Sequence, residues 1–240
     1  MDDVEMSSSR PLVGILAPMT SELRPVIRAG RLQRSVHGDA HLGTVAGARL
    51  VASLAGIGFA SAAAAAERLL DDHAPDRVVV VGIAGGVAPG LAIGDLVVPD
   101  LIVDGVARIE YRPSPLGDLV RAGTIVSYDG LTTEPDEIAR LVDDGVLALD
   151  MESSAVAAVC ERRGVAWSVV RSISDRLGTD PVDDAVFGLV RPDGSPDLGA
   201  VLRFVATHPS RLPGLIRLGR YSGRAAHAAA VAAVRGCAAL

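Results

Sequence analysis

The sequence predicts an α/β layered domain, and three observations carry that expectation. Short, near-continuous Val/Ile/Leu runs mark strands buried on both faces. These runs lead into helix-like segments or clusters of small and acidic residues. No apolar stretch reaches the ~20 residues of a bilayer-spanning helix. The first run, Leu12–Ala17 (LVGILA), precedes the helix-like TSELRPVIRAG, with Glu22 in its first turn behind a cap at Thr20 or Ser21. Ala60–Leu70 is an Ala-rich helix. Arg77–Ile83 (RVVVVGI) is a second strand that runs into Ala-Gly-Gly, and Gly94–Val103 (GDLVVPDLIV) is a strand that Pro99 interrupts. Val146–Leu149 gives way at Met151–Glu152 to a helix from Ser153 that Gly164 stops, after Arg162 and Arg163. Val165–Ile173 (VAWSVVRSI) is the last such run and ends in Ser174–Asp175. With no repeat and no linker, residues 1–240 read as a single domain with a helical, basic C-terminal extension over about 197–240.

Composition narrows the class. The chain has 240 residues, 49% hydrophobic and 22% charged, enough for a sizeable core and too apolar for a disordered protein. All 23 basic residues are arginine, and they are unevenly placed. Residues 196–240 hold six arginines against one acid, whereas residues 1–195 hold 17 against 28 acids. That acidic main body argues against nucleic acid as a partner. Cys160 and Cys237 have no metal-ligand spacing and imply no disulfide, which fits a reducing cytoplasm. The opening MDDVEMSSSR lacks the basic start and apolar run of a secretion signal.

In open α/β sheets, ligands bind beyond the carboxyl ends of the strands. Glu22, Gly85–Gly86, Asp150–Glu152 and Asp175 all fall just past such ends. The small residues of VGIAGGVAPGLAIGD would let a ligand approach the backbone, or would make a tight packed turn. No G-x-G-x-x-G follows the strand, so this is not a dinucleotide fingerprint. Asp150, Met151 and Glu152 suit a sugar, with carboxylate accepting from vicinal hydroxyls and thioether packing on the ring, or they offset a helix dipole. Asp175 suits a general acid or a turn-forming Asp, and Glu22 a base that orients water or a first-turn acid. An acid and a base on opposite sides of a glycosidic bond are what its hydrolysis requires.

Several segments in order resemble the nucleoside phosphorylase/nucleosidase superfamily, most closely the hydrolytic branch that contains methylthioadenosine/S-adenosylhomocysteine nucleosidase. They are VGILAPMTSEL, AGIG at Ala55–Gly58, GIAGGVAPGLAIGDLVV, VSYDGL at Val126–Leu131, ALDMESSAVAAVCERRGV and VVRSISD, over roughly residues 12–176. The resemblance implies a three-layer fold with a mixed, twisted sheet closed partly into a barrel and flanked by helices. It implies Asp175 as the acid toward purine N7, Glu22 as the base that positions water, Glu152 on the ribose hydroxyls and Met151 under the sugar. Met19, Ile83, Ala84, Gly85, Gly86, Leu131 and Thr132 would complete the substrate site. It implies a purine nucleoside as substrate, assembly as a homodimer or higher oligomer, and neither a metal nor an organic cofactor.

The chain also departs from that pattern. Ile83 stands where the nucleosidases have Ser or Thr, and Leu131 where many place a Phe on the purine, so an aliphatic base pocket is expected. The hexameric phosphorylases hold phosphate with an Arg three residues before a Ser, where this chain has Val80 and Ile83. Water is therefore the expected nucleophile, with Arg24 the nearest candidate for a phosphate ligand instead. A phosphate-dependent phosphorylase, a nucleosidase for futalosine or for an adenosylhopane-type lipid nucleoside, and a non-catalytic nucleoside binder are the alternatives. Arg203, Arg211, Arg217, Arg220 and Arg224, spaced among Leu, Ile and Ala, form a basic amphipathic pattern that fits a solvated helix or contact with a membrane surface, without a membrane span.

Overall fold

The computed structural model describes residues 10–36, 38–132, 134–177, 188–189, 191 and 197–240. The first nine residues, read above for a secretion signal, lie outside them. In chain order the elements are β1 (Leu12–Ala17), α1 (Thr20–Gly30), β2 (Gln33–Arg34), β3 (His41–Thr44), β4 (Arg49–Leu54), α2 (Phe59–His73) and β5 (Arg77–Gly86). Then come β6 (Leu96–Val97), β7 (Leu101–Asp104), β8 (Glu110–Tyr111), β9 (Thr124–Ser127), α3 (Pro135–Asp143), β10 (Val146–Asp150), α4 (Ser153–Arg163) and β11 (Ala166–Arg176). Two further helices, α5 (Leu198–Thr207) and α6 (Leu212–Ala238), follow in the segment expected to be helical.

A mixed sheet runs in the order β2-β3-β4-β1-β5-β10-β9-β7-β8, with β11 on β5 and β6 on β11. The path forks at β5. Arg77–Val80 pair with β1, Gly85–Gly86 pair antiparallel with β10, and β11 lies parallel along the whole of β5. The sheet remains open and does not close into the expected partial barrel. Ala-Gly-Gly is likewise strand and not a loop after one, because the β11 and β10 partners extend the ladder through Gly86.

Alternation along β5 creates the three layers. Val78 and Val80 face α2 and α4, packing with Leu69, Val156 and Cys160. Val79 and Val81 face α1 and α6, packing with Val26, Ala229 and Ala233. All four valines are essentially inaccessible, which explains why the run carries no polar alternation. Alanines on the C-terminal half of α6 let that helix lie close on the sheet, whereas Leu212–Arg224 extend beyond it and stay largely exposed. Cys160 and Cys237 are free thiols in these two layers, and burial pushes both up to about 12. Among the described residues, no helix is long and apolar enough to cross a membrane.

Candidate active site

The carboxyl ends of β1, β5, β10 and β11 meet at one cavity of about 570 Å³. At the end of β1 the chain turns through Pro18 and Met19 into α1. The helix cap is Met19, not Thr20 or Ser21, because the Glu22 side chain reaches back and accepts the Met19 N–H at 2.8 Å. Its other oxygen accepts the Ile83 N–H at 2.7 Å, which ties α1 to β5. Glu22 thus fills a first-turn structural role and also lines the cavity.

Asp150 ends β10, and Glu152 takes the cap position of α4, where strand gives way to helix. Both are buried. Arg171, wholly buried on β11, donates from Nε to Asp150 Oδ2 at 2.9 Å and from Nη2 to Glu152 Oε2 at 3.0 Å. Asp150 also accepts from Ser127 Oγ at 2.6 Å, from the Ser153 N–H at 3.2 Å and from Ser153 Oγ. Asp150 thus accepts from more internal donors than Glu152, which accepts one on each oxygen, so of the two acids lining the cavity Glu152 keeps more acceptor capacity for sugar hydroxyls. The remaining Glu152 oxygen accepts the Gly58 N–H, at the start of α2, at 3.2 Å. Asp129 accepts the next N–H, of Phe59, at 2.8 Å, so two distant carboxyl groups cap a helix that begins at glycine.

Gly82 makes this arrangement possible. In the β5–β11 register it lies opposite Arg171, and a Cβ there would stand 2.3 Å from Glu22 Oε1 and 2.5 Å from Arg171 Nη1. The two groups converge over the bare backbone, and Nη1 is buried without a hydrogen-bond partner. Three buried carboxyl groups therefore surround a single guanidinium. Burial without a full set of counter-ions pushes Glu22 up to about 8, against the pull of Arg171, and Glu152 adds to the rise. Glu152 is raised by the same cause, with Arg171 opposing and Asp150 reinforcing.

Asp175 follows Ser174 near the end of β11 and lines the cavity, and Ser174 Oγ donates to its Oδ1 at 2.6 Å. Met19, Ile83, Ala84, Gly85, Leu131, Thr132 and Met151 also line the cavity. Gly86 does not. It packs within the wall, where a Cβ would stand 3.1 Å from Ile173. Arg24 is exposed and lies outside the lining, and Val80 is in the core.

Sequence reasoning gave no site role to several contributors. Arg171 and Gly82 carried a signal, a charge and a glycine each inside a buried apolar run. Tyr128 lines the wall, its ring fitted over Gly105 and its hydroxyl donating to Glu137 at 2.5 Å. Leu215, Leu218, Gly219, Ser222 and Gly223 of α6 close one side, a contribution that only tertiary structure could assign.

A 5′-methylthioadenosine/S-adenosylhomocysteine nucleosidase of Shewanella putrefaciens is 30% identical over 205 residues, 71% of this chain and 89% of that protein. The fold matches that of the 5′-methylthioadenosine/S-adenosylhomocysteine nucleosidase of Colwellia psychrerythraea, solved in complex with adenine. The TM-score is 0.70 at 22% identity, over 97% of this chain and 96% of that one. The futalosine hydrolase of Helicobacter pylori superposes with a TM-score of 0.66 at 18% identity, covering 95% and 97% of the two chains. The family model described as the phosphorylase superfamily matches residues 12–116 and 105–206, and with the nucleosidase likeness this places the chain in that superfamily.

Proposed function

We propose that this protein is a purine nucleosidase that cleaves the N-glycosidic bond of a 5′-modified, adenosine-type nucleoside with water and releases the free base. The carrying observation is the convergence of Glu22, Glu152 and Asp175 on one cavity, with Arg171 buried among the first two. Binding alone needs no such set of acid and base. Asp175 protonates purine N7 as the glycosidic bond breaks, which leaves an oxocarbenium-like sugar. Glu22 takes the proton of the attacking water, whose oxygen bonds to the anomeric carbon. A carboxyl group held near 8 is a competent base at neutral to alkaline pH. Glu152 accepts the ribose hydroxyls, and Met151 packs beneath the ring.

Water rather than phosphate is supported by the lining, which holds no arginine among the described residues. A phosphate dianion requires charged donors or a nest of N–H groups. Leu131 and Ile83 make the base pocket aliphatic. The side walled by Leu189, Leu215, Leu218 and Gly219 is left for the 5′ substituent. The free thiols Cys160 and Cys237 fit work in the reducing cytoplasm, and the homodimer expected of the family is checked by sedimentation.

The test is base release from methylthioadenosine, S-adenosylhomocysteine, 5′-deoxyadenosine, inosine, adenosine and futalosine, each with and without phosphate. Release independent of phosphate is expected from at least one 5′-modified adenosine. Release that requires phosphate would make the protein a phosphorylase and overturn the reading.

A further inference from the structure

The exposed face of α6 is oriented in a way that the catalytic reading does not use. Leu215, Leu218, Gly219, Ser222 and Gly223 repeat at helical spacing and turn toward the cavity. Arg217, Arg220 and Arg224 repeat at i, i+3 and i+7 on the opposite side and are exposed. Leu212 and Ile216, four residues apart, stand 40% and 49% exposed at the same end of the helix. From residue 198 to 240 the chain has six arginines and no acid, while residues 1–195 have eleven more acids than arginines. The chain is thus polarised in charge along its length, and α6 itself, beside the cavity, carries exposed arginines and exposed aliphatic side chains without an acid.

We infer that this face of α6 docks on an anionic lipid bilayer surface, with the arginines on the headgroups and Leu212 and Ile216 entering the interface. Charge complementarity selects this occupant. An amphipathic helix with arginine on its polar face and exposed aliphatic groups lies in the interfacial plane. The acidic remainder of the molecule is repelled by the same surface, so only one orientation is favoured. Docking of this kind holds one wall of the cavity at the membrane, where a nucleoside with an apolar 5′ group would be found. The docking itself is independent of the reaction assigned above, because its readout is binding.

The experiment is co-sedimentation of the full chain with vesicles of phosphatidylcholine and phosphatidylglycerol in a three-to-one ratio, with pure phosphatidylcholine vesicles and duplex DNA in parallel. Each arginine near an anionic surface is worth roughly fivefold in binding. The triple variant Arg217→Gln, Arg220→Gln, Arg224→Gln is therefore expected to bind on the order of a hundredfold more weakly. Binding of the parent chain should also fall steeply as salt rises. These three side chains are exposed and outside the cavity lining, so the variant should keep its melting temperature and its solution base release. Ile216→Ser should weaken binding with little change in salt dependence. No binding to the anionic vesicles at low salt, equal binding by the triple variant, or equal affinity for duplex DNA would each overturn the assignment.

Discussion

At the scale of single residues, the site is governed by an unequal count of buried charges. Among the described residues Arg171 is the one cation buried with Glu22, Asp150 and Glu152, and Asp150 accepts from more donors, Ser127, Ser153 and Arg171, than either glutamate does. Removing a partner from a buried pair strands the other charge and costs roughly 3–5 kcal/mol. Asp150→Ala is therefore expected to lower unfolding free energy by about that amount, measured by urea denaturation. Glu22 gives a prediction with the opposite sense. Its carboxyl is raised from 4.5 to about 8, so its contribution to stability is full below about pH 4.5 and is lost as pH rises through 8. Glu22→Gln should remove that loss, making the variant relatively more stable at pH 9 than at pH 5 in thermal melts. A base must be ionised to act, so kcat/KM of the parent chain should climb with pH through a midpoint near 8. A profile flat from pH 6 to 9 would remove Glu22 from that role. Asp175→Asn should cost roughly 10²–10⁴-fold in kcat with KM little changed, as expected for loss of a general acid.

At the scale of elements, the strands that build the site were legible because each is a continuous apolar run. Leu12–Ala17 and Thr20–Gly30 coincide with β1 and α1, and Gly164 closes α4 in the left-handed conformation with φ 65°. Glu22, Glu152 and Asp175 were legible as carboxyl groups at strand ends, and all three reach the cavity. The pieces β2, β3, β8 and β9 escaped notice because two to four residues carry too little periodicity to register, and the six-residue β4 and the helix α3 went unread as well. The extension of β5 through Gly86 escaped because two glycines resemble a turn until β10 and β11 supply partners. Gly82 shows how an element serves chemistry. It sits mid-strand in a valine run, where glycine weakens a sheet, and the missing side chain is the space in which Glu22 and Arg171 meet. In Gly82→Ala the new methyl group must displace one of them. The expected outcome is a stability loss of about 1–3 kcal/mol and a much larger fractional loss of base release. Full activity in that variant would show that the Glu22–Arg171 approach is dispensable.

At the scale of the whole molecule, α6 joins stability to specificity. Its C-terminal half supplies Ala229, Ala230, Ala233 and Cys237 to the layer that covers β5 and β1. Its N-terminal half supplies a cavity wall about two turns away in the same rigid helix. The wall can therefore be altered without touching the core. Gly219 is the position of choice, because a Cβ added there meets no atom within 4 Å. Gly219→Leu would fill the space assigned to the 5′ substituent while replacing the poorest non-proline helix former. Helix propensity alone favours leucine over glycine by roughly 0.6–0.8 kcal/mol, so the melting temperature should hold or rise. Activity should separate by substrate. A side chain added to a binding pocket typically discriminates by roughly 10–200-fold, so kcat/KM should fall that much for nucleosides with long 5′ groups. For 5′-deoxyadenosine, which has nothing to place there, the change should stay within about twofold. Equal losses for long and short substituents would mean that the α6 side of the cavity does not receive the 5′ end, and the orientation of the nucleoside would have to be reversed.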